Sequence, residues 1–106
     1  MPTPEGRIKQ KIKSVLDKFR GRIYVYMPVP GGYGAQSLDY LGWANGRGFA
    51  IEAKRPKGHT TLRQDGVIET MQAAGGVVFE IDGDAGCVLL EEWLILMCRR
   101  RCLTVS

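Results

Sequence analysis

Two acidic residues and one lysine have the types and spacing that could do chemistry in this sequence. Asp39 precedes the dipeptide Asn45-Gly46, and Glu52 and Lys54 follow it. Asn-Gly between two strand-like runs is the strongest short signal for a β-hairpin. The position of the turn therefore decides whether these three side chains meet.

A two-residue turn at Asn45-Gly46 fixes the pairing of the two strands. Asp39 then lies directly opposite Glu52, and directly opposed residues point to the same side of a sheet. Lys54 follows Glu52 by two residues and shares that side. The sequence thus predicts one patch that contains both carboxylates and the amine.

Two like charges in opposed positions of a sheet cost roughly 0.2–1 kcal/mol. A bound divalent cation turns this repulsion into coordination, because carboxylate oxygens, a backbone carbonyl and waters are ligands that Mg²⁺ accepts. Two other interpretations stay open. In one, Lys54 neutralises a carboxylate in an ordinary ion network. In the other, a one-residue bulge moves Asp39 to the opposite face.

Gln64 is the next candidate for this patch. Its spacing to Val67, Ile68 and Met71 places it on the inward face of a predicted helix. A capping box formed by Thr61 and Gln64 explains the residue without any function.

Glu5 is the last acidic candidate. Thr3-Pro4-Glu5 is typical of a helix start, and helical geometry places Glu5 on one stripe with Ile8 and Ile12. An acid on the buried side of a helix needs a partner, and no nearby residue supplies one.

The elements that must position these residues follow from periodicity and turn signals. We expect one domain, residues 1–106, with the order helix, three strands, helix, strand, helix. The predicted elements are a helix from Thr3 to Gly21, strands at Ile23–Tyr26, Ser37–Ala44 and Arg47–Lys54, a helix from Thr60/Thr61 to Gly75-Gly76, a strand at Val77–Ile81 and a helix at Leu89–Arg101.

Composition and charge narrow the function classes. The chain has 106 residues and a net charge of +4, with bases concentrated in residues 1–22 and 54–63 and at Arg99–Arg101. Such segregation suits a face that binds a polyanion, although solvated helix faces also explain it. Three cysteines and one histidine make a zinc site improbable. No apolar run is long enough for a membrane span, so we expect a cytoplasmic protein with no membrane partner.

The set Glu5, Asp39, Glu52-Ala53-Lys54 and Gln64, in this order of elements, resembles the PD-(D/E)XK nuclease superfamily. The segment Ile51-Glu52-Ala53-Lys54 followed by Thr61-x-x-Gln64 is most similar to its VRR-NUC (virus-type replication-repair nuclease) branch, in particular the small stand-alone phage members. The resemblance covers Glu5 to about Ile81. One departure is Leu38, where the family usually has proline before its metal-binding aspartate.

The resemblance implies an α/β fold with a restriction-endonuclease-like core, α-β-β-β-α-β, whose mixed central sheet is flanked by helices, plus a C-terminal helix. It also implies a site for Mg²⁺ or Mn²⁺, held by Asp39, Glu52 and the backbone carbonyl of Ala53. Lys54 would position or activate the attacking water, and Gln64 would orient Lys54. Glu5 would hold a metal-bound water or a second metal. The metal would polarise a phosphoryl oxygen and lower the pKa of its water.

The implied function is that of a structure-selective DNA endonuclease, a Holliday (four-way) junction resolvase that acts as a homodimer. The resemblance implies a cytoplasmic location, in the cytoplasm of a bacterial host if the chain is phage-encoded. A two-fold dimer presents two sites to two strands. The last helix or the Ile23–Tyr26 strand would form its interface, unless these residues only cover the sheet. The alternatives are a non-catalytic nucleic-acid-binding module and a flap- or end-acting nuclease subunit of a larger repair assembly.

Two segments flank the predicted site and are candidates for contacts with nucleic acid. Arg55, Lys57 and His59 could touch phosphates, and Tyr33 could stack on an unpaired base.

Overall fold

A computed structural model describes residues 3–28, 37–55 and 62–99. The elements in chain order are helix α1 (Pro4–Asp17), strands β1 (Ile23–Tyr26), β2 (Tyr40–Ala44) and β3 (Arg47–Ala53), helix α2 (Leu62–Ala73), strand β4 (Val77–Ile81) and helix α3 (Asp84–Arg99). The predicted order of elements is therefore confirmed. The fold is mixed α/β, with one four-stranded mixed sheet and three helices.

Helix α1 begins as its sequence predicts. The Thr3 hydroxyl accepts a hydrogen bond from the N–H of Gly6 at 3.0 Å and caps the helix. The helix ends at Asp17 and not at Gly21 as predicted, because tight turns replace the helical bonds from Lys18 onward. Gly21 adopts a left-handed φ of 87°, which lets the chain turn into β1.

The strands lie in the order β1-β2-β3-β4, antiparallel except for the parallel pair β3 and β4. Asn45 and Gly46 have φ of 51° and 83°, the left-handed values that a two-residue hairpin turn requires. The pairing of Gly42 with Phe49 and of Ala44 with Arg47 is the predicted register. The turn therefore sets the register without a bulge.

The two faces of the sheet carry different helices. On one face, α1 and α3 pack on the large core, which includes Ile12, Phe49, Ile51 and Leu94. On the other face, α2 packs through Ile68 on a small cluster with Ala50. Because side chains alternate along a strand, Glu52 and Ala50 share the α2 face.

Gly42 is required by a close approach between strands. A Cβ atom at this position would overlap the carbonyl oxygen of Tyr24 and lie 2.9 Å from Cζ of Phe49. The missing side chain thus lets the Phe49 ring pack against the backbone of β2.

Other element boundaries also differ from the predictions, and β3 ends at Ala53 and not at Lys54. Strand β2 begins at Tyr40 and not at Ser37, so Asp39 lies just before its first residue. Helix α3 begins at Asp84 and not at Leu89. An acidic residue stabilises the first turn of a helix, and Cys87 then joins Leu90 and Leu94 on the buried side of α3.

No helix in residues 3–28, 37–55 and 62–99 is long and apolar enough to cross a membrane.

Candidate active site

Asp39 and Glu52 meet at the end of the hairpin, as the register predicts. The backbone N–H of Asp39 donates to Oε2 of Glu52 at 3.3 Å. The Asp39 Oδ2 atom accepts the backbone N–H of Ala53 at 2.9 Å. Each carboxylate is therefore held by the backbone of the opposite strand, and the two acids stay side by side.

Lys54 and Gln64 complete the cluster. The Lys54 ammonium donates to Oε1 of Gln64 at 2.5 Å and lies 3.7 Å from Oε1 of Glu52. The Gln64 amide nitrogen donates to the same Glu52 oxygen at 3.0 Å. Gln64 thus connects the acid and the amine, as its inward position on α2 predicts; Thr61, its partner in a capping box, lies outside the described residues.

Burial makes the charge on Glu52 costly. Only 5% of the residue is exposed, and Glu52 is the one charged residue that is buried in the part of the chain that the structure describes. Burial first, and the charge of Asp39 second, raise the pKa of Glu52 from 4.5 to about 7, although Lys54 opposes the shift. At neutral pH the carboxyl group is therefore poised between its protonated and ionised forms.

The Ala53 carbonyl lies on the same edge of β3 as the two carboxylates. The N–H and C=O of one strand residue point to the same side, and the N–H of Ala53 points to Asp39. The next residue points the other way, since the N–H of Lys54 donates to the Ile81 carbonyl of β4 at 2.8 Å. The carbonyl is thus directed beyond the start of β2, toward Asp39.

Lys9 is a residue of this site that the sequence did not reveal. Its ammonium lies 4.0 Å from Oδ1 of Asp39, although α1 packs on the opposite face of the sheet. Lys9 borders the apolar stripe of α1 next to Ile8. That position is visible in the sequence, but the sequence does not tell where α1 lies relative to the hairpin.

Glu5 is not buried, although its position on the apolar stripe of α1 predicts that it is. It is exposed, because the burial of α1 begins only at Ile8 and the first turn lies outside the core. In residues 3–28, 37–55 and 62–99, no group of three or more acidic, histidine or cysteine side chains is arranged to hold a metal. The structure therefore joins Asp39 and Glu52 but does not add Glu5 to them.

The remaining candidates are mostly not described. Arg55 is exposed and follows Lys54, two residues after the end of β3. Tyr33, Lys57 and His59 lie outside the described residues, so their contacts with nucleic acid stay predictions.

The donor set of Asp39, Glu52 and the Ala53 carbonyl fits a hard divalent cation. All three groups offer oxygen, which Mg²⁺ and Mn²⁺ prefer. Burial first, and the charge of Asp39 second, raise the pKa of Glu52 despite the nearby ammonium of Lys54. A cation between the two carboxylates would add positive charge and favour the ionised form of Glu52.

Comparison of the chain with known proteins finds no matching family model, no matching protein sequence and no matching solved structure.

Proposed function

We propose that this protein is a divalent-metal-dependent DNA endonuclease of the VRR-NUC type, with a restriction-endonuclease-like core. The observation that carries the proposal is the opposition of Asp39 and Glu52 beside Lys54. A sequence under structural selection alone would avoid two acids at this position, because burial first and the charge of Asp39 second raise the pKa of Glu52 and make its ionised form costly.

Asp39, Glu52 and the Ala53 carbonyl would hold Mg²⁺ or Mn²⁺. When bound, the metal supplies a Lewis acid that polarises a phosphoryl oxygen and makes hydroxide available near neutral pH. The side chains would bind it after Glu52 loses its proton, and metal affinity would therefore rise with pH.

Lys54 would act on the phosphodiester. Its ammonium is compact and is held by Gln64, so it offers a fixed positive charge beside the carboxylates. In hydrolysis, water attacks phosphorus, one phosphorus–oxygen bond to a sugar breaks, and the leaving oxygen gains a proton. Lys54 would orient that water and offset the negative charge that develops on the phosphoryl oxygens.

Branched DNA cut by a homodimer is the substrate and assembly we propose. A four-way junction needs two active sites related by a two-fold axis. Exposed apolar side chains on α3 favour a second copy as partner, because they lie away from the sheet. These residues are Val88, Leu89, Ile95 and Leu96.

The test is incubation of the protein with an end-labelled four-way junction, with Mg²⁺ or Mn²⁺ or with a chelator. We expect metal-dependent cleavage by the wild type and losses of at least about a hundredfold for Asp39→Asn and Lys54→Met. Glu92→Gln is the matched control, because this exposed acid lies on α3, which packs on the opposite face of the sheet. Cleavage that persists in Asp39→Asn would refute the site.

The rival proposal is a non-catalytic nucleic-acid-binding module. It predicts salt-dependent binding of the junction without any strand scission. It also predicts that Mg²⁺ leaves the thermal midpoint unchanged, whereas a metal site raises it.

A further inference from the structure

Three aromatic side chains lie exposed on the α2 face of β1 and β2. Tyr24, Tyr26 and Trp43 expose 59%, 49% and 49% of their surface. Tyr24 pairs with Trp43 across the two strands, and their ring centroids are 6.1 Å apart. We call these three residues the aromatic patch.

The patch is open because α2 covers only part of its face. Helix α2 packs on the small cluster around Ala50 and Val78, which belong to β3 and β4. The ring side chains of β1 and β2 lie on the same face, beyond the helix. A groove of about 370 Å³ adjoins the patch, and its lining includes Trp43, Gly48 and Met71.

The patch lies beside the candidate active site. Asp39, Leu41 and Trp43 alternate with core-facing residues and therefore point to the same face. At roughly 3.3 Å per residue, Trp43 lies about 13 Å from Asp39 and Leu41 about 7 Å. Tyr26, the partner of Leu41 on the neighbouring strand, lies about 8 Å away. An extended strand of nucleic acid crosses such a distance in two or three nucleotides.

We propose that the aromatic patch binds an unpaired DNA strand by stacking its bases, and that the strand leads to the cluster of Asp39, Glu52 and Lys54. This inference rests on the proposed nuclease function and specifies its substrate: branched DNA with unpaired nucleotides next to the cleaved bond.

The chemistry of the patch favours bases. Stacking on an aromatic ring needs a flat exposed face and tolerates any base. The strands that carry the patch, Ile23–Tyr26 and Tyr40–Ala44, contain no charged residue. Cations lie beyond both ends, Arg47 at the turn and Lys54 at the active site, where phosphates would need them.

The area of the patch disfavours a second copy of the chain as its occupant. An aromatic side chain offers about 150–250 Å², and half exposure of three such rings leaves about 300 Å². A stable interface needs about 800 Å² from each partner. The patch is thus too small to form a dimer by itself but large enough for two or three stacked bases.

The test is a fluorescence titration in a chelating buffer, where no hydrolysis occurs. The probe is an oligothymidylate of about ten nucleotides. We expect binding to quench the fluorescence of the wild type, because Trp43 is exposed whereas Trp93 packs between Phe49 and Phe79. The affinity, measured by fluorescence anisotropy of a labelled probe, should fall roughly tenfold in Trp43→Ala and in Tyr24→Ala.

Two variants control for folding and for nonspecific effects. Trp43→Phe keeps a ring and should keep most of the affinity while it abolishes the quenching. Gln10→Ala, an exposed residue of α1 on the opposite face of the sheet, should bind as the wild type does. The proposal is overturned if Trp43→Ala binds the probe normally. It is also overturned if the only change in Trp43→Ala is the loss, in light scattering, of a concentration-dependent dimer.

The outcome is separable from that of the proposed function. If Trp43→Ala binds normally while Asp39→Asn abolishes junction cleavage, the nuclease stands and the stacking patch fails. If the wild type binds and is quenched but never cleaves with metal, the stacking patch stands and the nuclease fails.

Discussion

The ammonium of Lys9 lies 4.0 Å from the carboxylate of Asp39, so a helix on one face of the sheet delivers a cation to acids on the other. The Lys9 side chain is 40% exposed, and that of Asp39 is 25% exposed. Lys9 therefore offsets the charge of Asp39 without sealing the site from solvent.

A cation at Asp39 competes with a metal. We expect Lys9→Gln to lower the Mg²⁺ concentration for half-maximal thermal stabilisation by roughly two- to fivefold, as an exposed pair contributes up to about 1 kcal/mol. The measurement is the thermal midpoint at increasing Mg²⁺. Lys13→Gln is the control, because Lys13 pairs with Asp17 on the same helix. An increase of the half-maximal Mg²⁺ concentration in Lys9→Gln would contradict a competition between Lys9 and the metal.

The raised pKa of Glu52 predicts a pH dependence of stability without metal. The folded protein holds the proton up to about pH 7, whereas the unfolded chain loses it near 4.5. The stabilisation is therefore complete below about pH 4.5 and is lost as the pH rises through 7. We expect a decrease on the order of 2–3 kcal/mol, measured by urea denaturation in a chelating buffer.

Glu52→Gln tests this assignment directly. The neutral amide cannot ionise, so its unfolding free energy should stay nearly flat over the same pH range. Glu69→Gln, which changes an exposed acid on α2, should retain the wild-type decrease. The same decrease in Glu52→Gln would show that another group titrates.

Gln64 holds the lysine and the acid in place. Gln64→Ala removes the acceptor of Lys54 and the donor to Glu52, and both groups are largely buried. We expect a loss of about 1–3 kcal/mol of stability and a lower cleavage rate. Urea denaturation and single-turnover cleavage measure the two effects. Gln72→Ala, an exposed residue of the same helix, should change neither.

Gly42 should not tolerate a methyl group. The added Cβ of Gly42→Ala would strike the Tyr24 carbonyl and the Phe49 ring, and overpacking of this kind costs about 1–3 kcal/mol. Gly66→Ala gives the opposite control, since its Cβ meets no atom and alanine favours a helix by about 1 kcal/mol. Thermal or urea unfolding of both variants measures these changes. Equal stabilities of Gly42→Ala and Gly66→Ala would contradict the close approach at Gly42.

Local chemistry in the sequence determined the centre of the candidate site. Two residues at the turn, Asn45 and Gly46, accept left-handed backbone angles, and this alone fixes the register of β2 and β3. Because side chains alternate along strands, the register then decides that Asp39, Glu52 and Lys54 share a face. The position of Gln64 on the inner side of α2 follows in the same way from helical periodicity.

Contacts between distant elements decided the rest. The sequence places Glu5 and Lys9 one helical turn apart, but only the packing of α1 on β3 brings Lys9 to Asp39 and leaves Glu5 exposed. The raised pKa of Glu52 and the uncovered aromatic patch likewise depend on how much of the sheet α2 covers. Periodicity fixes which side of an element is apolar, but where that side docks is set by the fit between surfaces far apart in the chain.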